Sequence, residues 1–342
     1  MGYTMNYQKV NEILAELSKE YDIYAPKRFP KAGRFSDTDI VRYDRVAKAE
    51  EIVFDEKSDY PAKEVLSPIT ETLFYFTEDE YRESKDHSKK ILIFMRPCDV
   101  HAMEHQNQIY LKNGGFADMY YARLQEKVKI VLMECKGWDT CFCVSMGCNK
   151  TEEYAIAVRN AEDSWTVEVK DEAFKPYFTG EEVDFKVEFV EENELTLTVP
   201  EIKDKETLNK LKQHPFWQSY NGRCISCGAC TIACSTCTCF TTTDIVYNEN
   251  THVGERKRTS ASCQITGFTD MAGGHSFRPT AGDRLRYKTL HKFHDYKARF
   301  KDYHMCVGCG RCTSRCPEFI SITTTLKKMN DAVEEIKKEL GK

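Results

Sequence analysis

No apolar run in this chain of 342 residues approaches the roughly twenty that a helix needs to cross a bilayer; the longest strongly apolar stretch is Ile91 to Met95. Equally absent are a Gly-x-Gly-x-x-Gly turn after a predicted strand and a phosphate-binding loop, so neither a dinucleotide nor a nucleoside triphosphate has an evident cradle. The opening residues, MGYTMNYQKVNEILAELSKEY, lack a basic segment followed by an apolar core. Val10, Ile13, Leu14, Leu17 and Tyr21 fall instead on one helical stripe. Secretion and membrane contact are therefore not expected, and a cytoplasmic protein is. A strong charge bias is also missing, with a net charge of −5, and a hydrophobic content of 41% describes an ordinary globular chain, long enough for about two domains with cores of their own.

What is abundant is cysteine. Sixteen cysteines without an export segment point to a reducing compartment and to metal ligation rather than disulfides. Eight of them form two runs, Cys224-x2-Cys227-x2-Cys230-x3-Cys234 and Cys306-x2-Cys309-x2-Cys312-x3-Cys316, the second followed by Pro317 and the first by Ser235. Each iron of a cubane takes one thiolate, and ligands at every third residue of a tight turn set three sulfurs around one cluster while the fourth cysteine points away to another. A zinc site takes four ligands, commonly as two separated pairs, and leaves the tight third and fourth cysteines unexplained. The spacing thus predicts two 4Fe-4S clusters. If the fourth ligands are exchanged, Cys224, Cys227, Cys230 and Cys316 hold one cluster and Cys306, Cys309, Cys312 and Cys234 the other, with Cys237 as a substitute for Cys234. Gly228, Gly308 and Gly310 suit close backbone approach, and Ile225, Ile232 and Val307 are candidates to shield the clusters.

Pattern places a domain boundary near residue 200, in an α+β protein. Residues 1–200 read as an α/β-type sheet domain, with strands at Lys90–Met95, Val128–Met133, Tyr154–Val158 and Trp165–Val169. Residues 201–342 read as a ferredoxin-like dicluster domain. Seventy-one residues separate Cys234 from Cys306, so the connecting segment must carry structure of its own, expected to be largely helical around Ala261–Phe268 and Arg286–Phe300. The tail stripe of Leu326, Met329, Val333, Ile336 and Leu340 predicts a packing or docking helix. From Thr251 to His304, eleven Lys/Arg face five Asp/Glu. This stretch is read as offsetting anionic clusters or docking an acidic partner, in preference to binding nucleic acid.

A second constellation lies in the sheet domain. Cys98 follows one predicted strand, Cys135 ends another, and Cys141 and Cys143 follow on a turn. Four thiolates converging at strand ends are a candidate third 4Fe-4S cluster; a zinc site and buried structural thiols are the alternatives. Cys148, Cys237, Cys239 and Cys263 are assigned to structure, as are His101, His105 and His275.

The Arg96-Pro97-Cys98-Asp99 segment, Cys141 through Gly147, Cys224 through Phe240, Ala272 through Arg278 and the final cysteine run together resemble the iron–sulfur subunit of anaerobic sulfite reductase, itself similar to the iron–sulfur beta subunit of cytoplasmic nickel–iron sulfhydrogenases. The resemblance spans nearly the whole chain, although Ser235 stands where both families place proline. It implies an electron-transfer subunit without catalytic residues of its own. Its partners would be a flavin subunit that takes hydride from NADH and a siroheme subunit that reduces sulfite to sulfide. The sulfhydrogenase subunit is the alternative. Two further readings, a siroheme-bearing catalytic chain and a non-redox module stapled by clusters, fit the cysteine runs less well.

Overall fold

The computed structural model describes residues 2–84, 89–248, 250, 252–301 and 303–342. In chain order its strands are β1 (Gly2–Asn6), β2 (Tyr21–Phe29), β3 (Ile40–Arg45), β4 (Thr70–Phe76), β5 (Tyr81–Glu83), β6 (Lys90–Met95), β7 (Val128–Met133), β8 (Ile156–Asn160), β9 (Ser164–Val169), β10 (Glu181–Val183), β11 (Phe240–Asn248) and β12 (Val253–Ser260). Eight form a mixed sheet in the order β10-β1-β9-β8-β7-β6-β2-β3, and four form a second sheet, β11-β12-β4-β5.

The apolar runs of β6 and β7 follow from their position. They are paired in parallel at the centre of the large sheet and covered on both faces, so alternate side chains enter opposite cores. Leu92, Phe94, Val131 and Met133 pack with Val10, Ile13, Leu14 and Leu17 of the helix Tyr7–Leu17. Ile91, Ile93, Met95, Ile130 and Leu132 pack with Val100, Met103 and Tyr110 of the helix Pro97–Tyr110. The Asn6 side chain starts the first of these helices by accepting from the Lys9 amide. Pro97 starts the second, its missing N–H being one that the first turn leaves unpaired in any case. Because β6 and β7 are parallel, both chains emerge at the same sheet edge, one into Arg96-Pro97-Cys98 and the other toward Cys135.

The region between the cysteine runs departs from its expected helical character. Its first part is the hairpin β11–β12, whose β-branched and aromatic run Thr241, Thr242, Thr243, Ile245, Val246 and Tyr247 favours a strand. β12 also pairs with β4, so segments from both sides of residue 200 share one sheet. Ala261–Phe268 forms turns instead of a helix. Helix does occur within Arg286–Phe300: Ala281–Leu290 runs into a π-helical turn, His291–Asp295, and then Tyr296–Phe300. The tail helix Ile322–Glu339 buries Leu326, Met329, Val333 and Ile336 against Leu211, Trp217, Leu290 and Phe293. Among the described residues no helix is long and apolar enough to cross a membrane.

Candidate metal centres

Each cysteine run begins in a loop, puts its third cysteine in one turn of helix, Ala229–Ile232 and Arg311–Ser314, and its fourth just beyond that turn; the N-caps, Gly228 and Gly310, adopt positive φ. The loops enclose two neighbouring cavities. One is lined by Cys224, Cys227 and Cys230 together with Cys316. The other is lined by Cys306, Cys309 and Cys312 together with Cys234. Three sulfurs of one run thus face the fourth of the other, and Cys312 borders both spaces. Among the described residues no three His, Cys, Asp or Glu side chains close to the spacing of a single ion. Cys227 is exposed and Cys309 buried, so the first cavity lies nearer the surface. Val307 is buried and lines the second cavity, as expected of a shielding residue, whereas Ile225 lines the first cavity while remaining 60% exposed.

Two lysines reach this interior. Lys288 and Lys292 are four residues apart, which puts them on one helical face, and each is nearly fully buried. The Lys288 ammonium donates to the Cys230 carbonyl oxygen at 3.0 Å, and that of Lys292 to Thr236 Oγ1 at 2.9 Å. Lys288 borders both cavities and Lys292 only the second. Burial alone would lower both pKa values, but the surrounding sulfurs, Cys230 and Cys312 about Lys288 and Cys234 and Cys237 about Lys292, push them above the ordinary lysine range. Three other cations of the stretch form ion pairs away from the cavities. Arg256 pairs with Asp244, Arg258 with Glu71 and Asp118, and Arg286 with Asp283.

The loop bearing Cys141 and Cys143 packs against the second cysteine run, with Phe142 lining its cavity. The Phe142 amide donates to the Gly308 carbonyl at 2.8 Å. Gly308 and Gly310 both have positive φ, and a Cβ at either would collide with the backbone of Phe142 or Thr140, so only glycine lets the two loops close. Cys143 and Cys148 pack with Cys309, with Cys98 at the margin. Cys135 accepts from the Gly137 amide at 3.4 Å, and the Lys57 ammonium stands 3.7 Å from Cys141 Sγ. Burial pushes the Cys143 thiol up to about 11 and that of Cys312 to about 12, so an anionic sulfur at either position needs a metal or a cation to hold it.

Lys288 lies beside Cys312, and Arg96 is the cation beside Cys135. Arg96 is 1% exposed and lies 4.8 Å from the centre of the Trp138 ring, and it acts electrostatically on Cys135. One of its nitrogens donates to the Glu56 carbonyl, while Nε and Nη1 are buried with no hydrogen-bond partner. Buried guanidinium donors left free beside a group of thiols suit an anionic sulfur-rich group there.

The other cysteines and histidines have structural partners. Cys148 donates to the Met146 carbonyl. The neighbouring Cys237 side chain holds the Cys234 thiol below the usual cysteine range, and Cys239 does the same to Cys263, whose sulfur also accepts from the Gln264 side chain. His105 is buried, 3.1 Å from the Met305 carbonyl, with Tyr303 stacked on its ring. His101 contacts Glu104 and the Lys150 carbonyl. Sequence reasoning did not single out Lys57, Asp99 or Arg311, and took Lys288 and Lys292 only as part of a charged stretch. Their i,i+4 spacing beside Leu285 and Thr289 was the available signal.

Comparison with known proteins fits this geometry. Residues 223–320 match the family described as a 4Fe-4S dicluster domain. The chain is also 28% identical over 351 residues to the sulfhydrogenase 2 subunit beta of Pyrococcus furiosus, across 96% of this chain and 100% of the relative. No solved structure matches. A dicluster domain supports two 4Fe-4S clusters in the C-terminal part, where the two cavities lie.

Proposed function

We propose that this chain is the iron–sulfur electron-transfer subunit of a multi-subunit oxidoreductase of the sulfhydrogenase type. The observation that carries the reading is the pair of adjacent cavities, each lined by three cysteines of one run and the fourth of the other. Cys224, Cys227, Cys230 and Cys316 would hold one 4Fe-4S cluster, and Cys306, Cys309, Cys312 and Cys234 the second. Cys98, Cys135, Cys141 and Cys143 would hold a third, supported by the unpartnered donors of Arg96. When bound, such clusters accept and pass single electrons. The protein's residues position the sulfurs, exclude water and supply positive charge. Full-length similarity to a sulfhydrogenase beta subunit favours that assembly over the sulfite reductase expected from the sequence motifs. A flavin-bearing partner that delivers electrons belongs to the same proposal.

Iron and sulfide analysis of anaerobically purified protein tests the cluster count: about twelve irons per chain are expected, and about eight would remove the third site. Cys141→Ala should lower the count by about four and abolish electron delivery from the flavin partner while the C-terminal sites stay reducible by dithionite. Unchanged iron in that variant would return these cysteines to the core.

The buried lysines give a second test. A unit charge about 7 Å away, at an effective dielectric of about 20, is worth about 2 kcal/mol, or roughly 0.1 V for one electron. A cation favours the more negative, reduced state. Lys288→Met should therefore lower both C-terminal midpoint potentials, and Lys292→Met mainly that of the second site, as read by potentiometric EPR. Equal shifts from the two variants would contradict the placement of Lys292.

A further inference from the structure

Pro317 follows the last cysteine of the second run, but Ser235 follows that of the first. Ser235 is 1% exposed and its hydroxyl is fully engaged. Arg311 Nη1 donates to Ser235 Oγ at 3.0 Å, while Asp99 Oδ1 lies 3.4 Å away and Cys309 Sγ 3.6 Å away. Arginine has no acceptor, so Arg311 occupies a lone pair of the hydroxyl and leaves its single proton to be directed. Two acceptors then compete for that proton. Asp99 is already satisfied by Arg311, which holds its two carboxylate oxygens at 2.7 and 3.0 Å. Cys309 has no other side-chain donor within hydrogen-bond reach in the described structure.

We infer that Ser235 is a redox-responsive hydrogen-bond donor to Cys309. This rests on the reading of Cys309 as a ligand at the second site. The hydroxyl proton turns from the Asp99 carboxylate toward the Cys309 sulfur as negative charge accumulates there, and so favours the reduced state. No bond breaks and no proton leaves; only the direction of the O–H changes. Proline could not do this, having neither hydroxyl nor N–H. Ser235 is thus a positioning residue that tunes the second site and leaves the first alone, because its contacts lie with Cys309 and Arg311 of the second run.

Potentiometric EPR on the full chain tests the inference. At the wild-type midpoint of the second site, Ser235→Ala should lower the reduced-to-oxidised ratio about fivefold, the factor that one net hydrogen bond supplies, and Ser235→Thr should restore it. The first site should not shift. An exchangeable proton coupled to the reduced second site, seen by electron–nuclear double resonance in water and lost in deuterium oxide, should be present in wild type and the Thr variant and missing from the Ala variant. Ser235→Gly removes the hydroxyl without adding volume and serves in place of the Ala variant if that loses iron. Full iron content with an unshifted second potential overturns this inference alone. A wild-type chain that binds no iron overturns the cluster reading as well.

Discussion

Cys316→Ala is expected to destroy the site built on Cys224, Cys227 and Cys230, although it lies more than eighty residues away in sequence and follows the other run. The x3 spacing carries the fourth cysteine past its own loop, and Cys316 lines the cavity of the first run, not that of the second. Removing one of four thiolates leaves an iron without a protein ligand. Iron should fall by about four per chain, with the EPR signal of the Cys306 set retained. If only that set is perturbed, the exchange of fourth ligands is wrong. The complementary variant, Cys234→Ala, should spare the first site and damage the second.

Asp99→Ala is expected to be the most destabilising change outside the cysteines. The Asp99 carboxylate meets the Arg311 guanidinium with both side chains 1% exposed, and Arg311 also donates to the Ser58 carbonyl at 2.9 Å and to Ser58 Oγ at 3.0 Å. A buried pair is not in itself strongly stabilising, because both charges have been taken from water. Breaking it strands a cation and costs about 3–5 kcal/mol. Denaturant unfolding followed by circular dichroism should register that loss. The double variant Asp99→Leu with Arg311→Met, which removes both charges, should recover much of it. A single variant that unfolds at the wild-type denaturant concentration would show that the pair is solvated or replaceable. The position is also sensitive for function, since Asp99 adjoins Cys98, Arg311 adjoins Cys312, and both meet Ser235 beside Cys234.

The two cysteine runs were legible because their information is local: a spacing of three residues sets sulfur positions within one loop whatever surrounds it. The central strands β6 and β7 and the stripes of the first and last helices were legible for a similar reason, since burial on a sheet or helix face imposes a short period on the sequence, although the first helix stops at Leu17 and Tyr21, expected on its stripe, begins β2. The hairpin β11–β12 carried a readable β-branched signal that the expectation of a helical insert overrode. Other features had no local signature. The sequence contains the lysines at 288 and 292, but only packing of their helix over the cysteine loops turns surface-type charges into buried ones. Nor does anything near Ser235 announce that Arg311 and Asp99 will converge on its hydroxyl, each arriving from a different part of the chain. Cys98, Cys135, Cys141 and Cys143 stand between these cases. Neighbouring strands predicted the shared edge of Cys98 and Cys135, but the closeness of Cys143 to Cys309 depends on Gly308 and Gly310 letting two backbones touch. Local spacing therefore determined which atoms are available to bind metal. The charge, the donors and the neighbours around those atoms were decided by contacts across long sequence separations, which short-range periodicity does not encode.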